Sequence, residues 1–176
     1  MINEIDIKHL TIIRNTIDNL LRSVSILNDK EDYLILDIAP HTYEGAMKFF
    51  KKAKVQTLDI DSTSNADYIC DLAEATLVPN NYFDIIFCTE VLEHTENPFK
   101  CVETMYRILK PNGKLYVTTP FDFRIHNPLP DNWRFTEHGL KILFKKFDSV
   151  IISEISNENR YLMPIQYTVE ATKVDK

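Results

Sequence analysis

Glycine is scarce in this chain, three residues in 176, where ordinary usage near 7% would supply about twelve. The shortage leaves no G-x-G-x-x-G turn, which argues against a nicotinamide dehydrogenase. Cysteine is equally sparse. Cys70, Cys88 and Cys101 are odd in number, show no C-x-x-C spacing and lie in apolar segments, which argues against a disulfide scaffold or zinc ribbon and predicts reduced thiols in a cytoplasm. No basic block exceeds Lys51-Lys52 and Lys145-Lys146, and the formal charge is −6, so non-specific nucleic-acid binding is disfavoured. The opening MINEIDIKHL is acidic where a signal peptide is basic, and polar residues interrupt every apolar run short of membrane-spanning length. What is present is a globular composition, 44% hydrophobic and 26% charged, expected to form one soluble domain with no membrane insertion.

Within residues 1–28, Leu10, Ile13, Ile17, Leu20, Leu21 and Val24 recur at steps of three and four, the stripe of an amphipathic helix. Tyr33 to Ala39 is a nearly continuous apolar run, as a strand buried on both faces requires. A helical segment from about Glu44 to Lys52 and strands Val55 to Asp59, Tyr68 to Cys70 and Phe83 to Thr89 follow. Asn97 and Pro98 open a helix that closes before Lys110-Pro111-Asn112-Gly113, a turn into a strand from Lys114 to Thr119. Thr136 caps a helix to about Phe147, and residues 148–176 add two strands, Ser149 to Ser156 and about Pro164 to Thr172. Strands alternating with helices predict an α/β doubly wound sheet, which binds ligands beyond the carboxyl ends of its strands. The residues at and after Ala39, Asp59, Cys70, Thr89 and Thr119 are therefore the ones to inspect. Asp59, 22 residues beyond Asp37, stands where such sheets offer a carboxylate to ribose hydroxyls; Asp61 is the reserve. Asp71 can accept from an adenine amino group while the backbone of Leu72 reads the ring edge.

DYICDLAEA, followed by VPNNYFDIIFCTEVLEHTENPFKCVETMYRILKPNGKLYVTTP, resembles the class I S-adenosylmethionine-dependent methyltransferases. The resemblance covers about residues 33–147 and is densest from Phe83 to Pro120. It implies a Rossmann-like, mostly parallel seven-stranded sheet with helices on both faces, S-adenosyl-L-methionine as cofactor and a small hydrophilic acceptor. It places Asp59 on the ribose, Asp71 on the adenine, Thr89 at a cofactor-facing strand end, and Asp37 as the acid that orients the first loop or the cofactor's ammonium group. One departure stands out: Ala39, His41 and Tyr43 occupy positions where the family carries glycine. Either the loop is reshaped, with Gly45 providing the close approach, or the chain is a binding or regulatory subunit that has lost turnover.

Glu90, Glu93 and His94 are spaced to share one face of a helical turn. Ubiquinone-type O-methyltransferases and small-RNA 2′-O-methyltransferases use a similar E-x-x-E-H element to hold a divalent cation, and His126 could be a fourth ligand. Metal-free catalysis by His94 or His126, and purely structural roles, are equally open. The segment Phe121 to Phe135 mixes prolines, aromatics and charge where an acceptor should enter. Trp133 and Arg134 offer a flat wall and a cation to a sugar or phosphorylated acceptor; alternatively Trp133 and Phe135 staple the next helix. W-R-F-T is similar to an element of methyltransferases encoded with glycan-biosynthesis enzymes, which implies O-methylation of a sugar. His9 is expected at the surface and His138 in a structural role. A neighbouring subunit or partner enzyme is expected to complete the acceptor site of so small a domain.

Overall fold

Ile13, Ile17, Leu21 and Val24 form the buried stripe of a 25-residue helix, α1 (Glu4–Asn28). In the computed structural model, which describes residues 3–40, 43–158 and 160–175, Asn3 opens this helix by accepting the Asp6 amide at 2.8 Å, and Asp6 returns the bond at 3.2 Å. At its far end the Asp29 carboxylate accepts the amides of Lys51, Lys52 and Ala53 at 3.0, 2.8 and 2.9 Å. His9 corrects an expectation. It is 6% exposed and donates from Nδ1 to the Asp122 carbonyl at 2.7 Å, tying α1 to a loop more than a hundred residues away.

The strands are β1 (Leu34–Ile38), β2 (Lys54–Asp59), β3 (Tyr68–Ile69), β4 (Phe83–Thr89), β5 (Leu109–Pro120), β6 (Ser149–Ile155) and β7 (Gln166–Thr172). They form one seven-stranded sheet, ordered β3-β2-β1-β4-β5-β7-β6. Pairing is parallel from β3 to β5, and β7 lies antiparallel between β5 and β6. Successive residues of β1 and β4 point to opposite faces. Ile35, Ile85 and Phe87 pack with Ile13 and Ile17 of α1, while Leu36, Ile38, Ile86 and Cys88 pack in the core shared with α2 (Pro98–Ile108) and α3 (Glu137–Leu143). Both faces are therefore dry, which is why the central strands read as unbroken apolar runs. The caps stand where the sequence predicts them: Asn97 accepts the Lys100 amide at 3.1 Å and Thr136 the Gly139 amide at 3.1 Å.

The crossovers differ from expectation. The helix expected over Glu44 to Lys52 is a single 3-10 turn, Gly45–Lys48. Its continuation is blocked because Asp29 already holds the amides of residues 51–53. Among the described residues no helix joins β2 to β3 or β3 to β4, and α3 stops at Leu143 because Phe144 and Phe147 turn into the core. Among the described residues no helix is long and apolar enough to cross a membrane.

Candidate active site

The strand order reverses between β1 and β4, and at this switch point a doubly wound sheet opens a crevice beyond its carboxyl ends. Both strands leave the sheet through a left-handed residue that is not glycine, Ala39 at φ 49° and Glu90 at φ 54°. An L-residue held there costs of the order of 1–3 kcal/mol, and such strain persists where surrounding structure imposes it. The first loop thus keeps a glycine-like backbone at Ala39 without the glycine. His41 lies outside the described residues, and Tyr43 is exposed with the Arg14 guanidinium 4.1 Å above its ring.

Asp37 organises this loop. It is 2% exposed, and its Oδ2 accepts the Ala46 amide at 2.7 Å. Burial pushes its carboxyl up to about 7, against the lowering effect of that one hydrogen bond. Gly45 sits at φ +53°, and a Cβ on it would stand 2.1 Å from Asp37 Oδ2. The close approach that Gly45 provides is therefore to the protein's own carboxylate. Asp59, at the end of β2, is buried and its Oδ1 accepts the Asp61 amide at 2.9 Å. Asp71 is exposed and caps its own turn by accepting the Ala73 amide at 2.8 Å, while the Leu72 side chain is in the core.

A cavity of about 680 Å³ occupies the crevice, lined by Asp37, Ala39, Gly45, Thr89, Glu90, His94 and His126 and walled by Arg14, Ile17, Asp18 and Leu21 of α1. A smaller cavity, about 220 Å³, lies between Asp71 and the Thr95 to Cys101 start of α2. Asp59 lines neither.

The E-x-x-E-H element does not form one helical face. Glu90 precedes the short 3-10 turn Leu92–His94, and its left-handed backbone sends its carboxylate to Thr118 Oγ1 at 2.8 Å and Gln166 Nε2 at 2.7 Å. It is thereby separated from the predicted metal set. Glu93, His94 and His126 do come together, with one ligand atom from each all within 4.8 Å of one another. Glu93 is fully buried with neither carboxylate oxygen hydrogen-bonded, and burial, then the neighbouring Glu90, push its carboxyl well above the usual range. The two imidazoles pack edge to face with centroids 4.9 Å apart. His94 Nδ1 donates to the Pro130 carbonyl and His126 Nδ1 to Asp131 Oδ2, each at 3.0 Å. In both rings the nitrogen left for a ligand is Nε2.

Trp133 and Arg134 line neither cavity. Trp133 donates from Nε1 to the Thr95 carbonyl at 2.8 Å and stacks on Phe135, which is in the core, so the stapling alternative holds. Arg134 spans the Asp131 carboxylate with Nη1 at 2.5 Å and Nη2 at 2.8 Å, and also donates to the carbonyls of Phe123, Arg124 and Trp133. Asp131, whose side chain is fully enclosed, was missed by the sequence reading although Asp131-x-x-Arg134 is visible in it. Burial alone would raise its carboxyl, but Arg134 and the His126 amide hold it down at about 2. The loop is strapped to the 3-10 turn by the amides of Asn132 and Trp133, which both donate to the Glu93 carbonyl at 2.7 and 3.1 Å.

The comparisons with known proteins agree with this geometry. The family model described as "Methyltransferase domain" matches residues 20–117, more than half of the chain. The ubiquinone/menaquinone biosynthesis C-methyltransferase UbiE of Pasteurella multocida is 31% identical over 111 residues, 63% of this chain and 39% of the relative. The ubiquinone biosynthesis O-methyltransferase of Photobacterium profundum is 36% identical over 62 residues, 34% of this chain and 26% of the relative. The matched stretches thus span well under half the length of these curated relatives. A crystal structure of a SAM-dependent methyltransferase from Archaeoglobus fulgidus superposes with a TM-score of 0.69 over 91% of this chain and 94% of its own, at 16% identity. With the strand order and a cavity at the switch point beside the family match, the chain belongs to the class I S-adenosylmethionine-dependent methyltransferases.

Proposed function

We propose that this chain transfers the methyl group of S-adenosylmethionine to a hydroxyl oxygen of a small hydrophilic acceptor, with a sugar as the acceptor class to test first. One observation carries the choice of oxygen: two imidazoles, His94 and His126, line the cavity with Nδ1 engaged and Nε2 left to accept a proton. The cofactor supplies an electrophilic methyl on a sulfonium, and the protein's part is alignment and proton removal. The strand ends fit such a molecule. Asp71 lines the smaller cavity, where an adenine would sit with the Leu72 backbone at its edge, Asp37, Ala39, Gly45 and Thr89 line the larger one, where the methionine part would lie, and Asp59, outside both, would use Oδ2 for the ribose hydroxyls. Charged groups of both signs around that cavity, Asp18, Glu44, Lys48 and Arg14, suit a polyhydroxylated acceptor better than an apolar ring. Three unpaired thiols, Cys70, Cys88 and Cys101, fit a reducing cytoplasm.

A second reading has its own observation. A buried carboxyl with neither oxygen hydrogen-bonded, Glu93, clustered with the ring nitrogens of His94 and His126, is a set of donors that suits a divalent cation. Glu93, His94 and His126 would hold it, and it would polarise the acceptor hydroxyl. Glu90 is outside this set.

Titration calorimetry with S-adenosylmethionine and S-adenosylhomocysteine tests the first reading; no binding at millimolar cofactor would leave only a non-catalytic subunit. Methyl-labelled cofactor is then scored against monosaccharides, phenols and enolic carbon acids, with labelling of the sugars expected. Transfer that survives EDTA and Glu93→Ala unchanged would remove the cation.

A further inference from the structure

The two cavity histidines are built differently. His94 leans on a backbone carbonyl, whereas His126 leans on a carboxylate whose every bond is accounted for. Asp131 Oδ2 accepts the His126 amide at 3.1 Å, His126 Nδ1 at 3.0 Å and Arg134 Nη2 at 2.8 Å, while Oδ1 takes Arg134 Nη1. Its side chain is fully enclosed. Arg134 is in turn held by the carbonyls of Phe123, Arg124 and Trp133. The His126 ring lies edge to face against both Phe123, centroids 5.1 Å apart, and His94, 4.9 Å.

We propose that Asp131, clamped by Arg134, is a positioning residue that holds His126 in the Nδ1–H tautomer with Nε2 turned to the cavity, and so makes His126, of the two histidines, the base of the reaction. The assignment rests on the oxygen-methylation reading above, but the tautomer itself does not depend on it. The physical reason is geometric. An ionised carboxylate can only accept, so the ring nitrogen facing it must carry the proton, and the other nitrogen is left with its lone pair. A carbonyl does the same for His94, but it cannot offset the positive charge that develops on a ring receiving a proton. The carboxyl that does lie near His94, Glu93 Oε1 at 3.8 Å from Nε2, is held toward its neutral form by burial and stands against the very nitrogen that would take the proton. The Asp131 carboxylate can offset that charge. The proton leaves the acceptor hydroxyl for His126 Nε2, the oxygen's electron pair forms the new bond to the methyl carbon, and the sulfur keeps the pair of the bond that breaks, so the step balances with no further reactant. The competing account is that Asp131 and Arg134 only fold the loop.

Long-range proton–nitrogen NMR on the full chain labelled with ¹⁵N-histidine separates the two accounts, with His126 assigned by its loss in His126→Gln. Wild type is expected to show a single Nδ1–H tautomer for His126. Asp131→Ala is expected to mix tautomers toward the Nε2–H form that free side chains favour. Asp131→Asn turns an amide donor onto Arg134 or onto His126 and is expected to disturb the tautomer as well. Asp131→Glu, which keeps an acceptor-only carboxylate, is expected to retain the wild-type tautomer and serves as the conservative rescue if the alanine variant fails to fold. A mixed or Nε2–H tautomer in wild type, or an unchanged one in a folded Asp131→Ala, overturns the proposal. In turnover on the best-labelled monosaccharide of the panel, Asp131→Ala is expected to lower kcat about 10- to 100-fold with KM for the cofactor unchanged, and His126→Ala at least as much. A wild-type kcat in His126→Ala would sink the base reading, whatever the tautomer shows. Loss in His126→Ala with full activity in Asp131→Ala would sink only the positioning role.

Discussion

Two aspartates with enclosed side chains, one near the end of β1 and one in the loop beyond β5, end in opposite states. Asp37, in β1 under the first loop, has one backbone amide for company, and its carboxyl is pushed up to about 7. Asp131, in the loop that carries His126, has its side chain enclosed in a less deeply buried stretch, and a guanidinium fork, a backbone amide and an imidazole hold it down at about 2. The difference teaches that burial sets only the cost of a charge, and the partners decide whether it is met. The first loop is arranged around an acid near its neutral form, which a ligand's ammonium group can recruit; the loop beyond β5 is arranged around a permanent ion pair.

The comparison breaks most visibly where the Asp37 charge is taken away. Asp37 binds its proton more tightly folded, at about 7, than unfolded, at 3.8, so its contribution is fully present below pH 4 and is lost as pH rises from there to about 7. Asp37→Asn, which keeps an acceptor for the Ala46 amide, should therefore gain up to about 4 kcal/mol at pH 8 and nothing below pH 4 in urea melts at both values. Cofactor affinity should meanwhile weaken in this variant and, in wild type, tighten from pH 6 to pH 8 by calorimetry. Taking a partner from Asp131 has the reverse sign. Arg134→Met leaves the Asp131 carboxylate without its counter-charge and with only the two hydrogen bonds from His126, and chemical denaturation at neutral pH should show a loss of up to about 3 kcal/mol. Gly45→Ala forces a Cβ into the Asp37 carboxylate at a left-handed φ and should cost at least about 2 kcal/mol along with cofactor binding. The smallest effect is a gain. Ala39→Gly relieves the φ of 49° and should stabilise by about 1 kcal/mol with binding intact.

Much of this was readable in the sequence. The strands fall within about two residues of where apolar runs and turn residues put them, apart from the early start of β5, because a strand dry on both faces leaves no other pattern. Asn97 and Thr136 announce their helices by cap chemistry, which is local. Long-range captures were not readable. Asp29 ends a helix and also takes the amides that would have extended the next one, and Asp122 buries His9 from the far side of the chain. Glu90 escaped the helical spacing because its backbone turns left-handed where Thr118 and Gln166 wait on neighbouring strands. Trp133 and Arg134 looked like recognition residues because composition cannot tell an outward cation from one knotted into its own loop.

Helix α1 sets one side of the hydrophobic core with Ile13, Ile17 and Leu21, and the same helix presents Arg14, Ile17, Asp18 and Leu21 to the cavity. A ligand filling that space would contact the helix and the strand ends together, so its binding energy would add to the work of peeling the helix away. Amide exchange along residues 13–24 would slow on ligand addition and report occupancy from a segment that carries none of the chemistry.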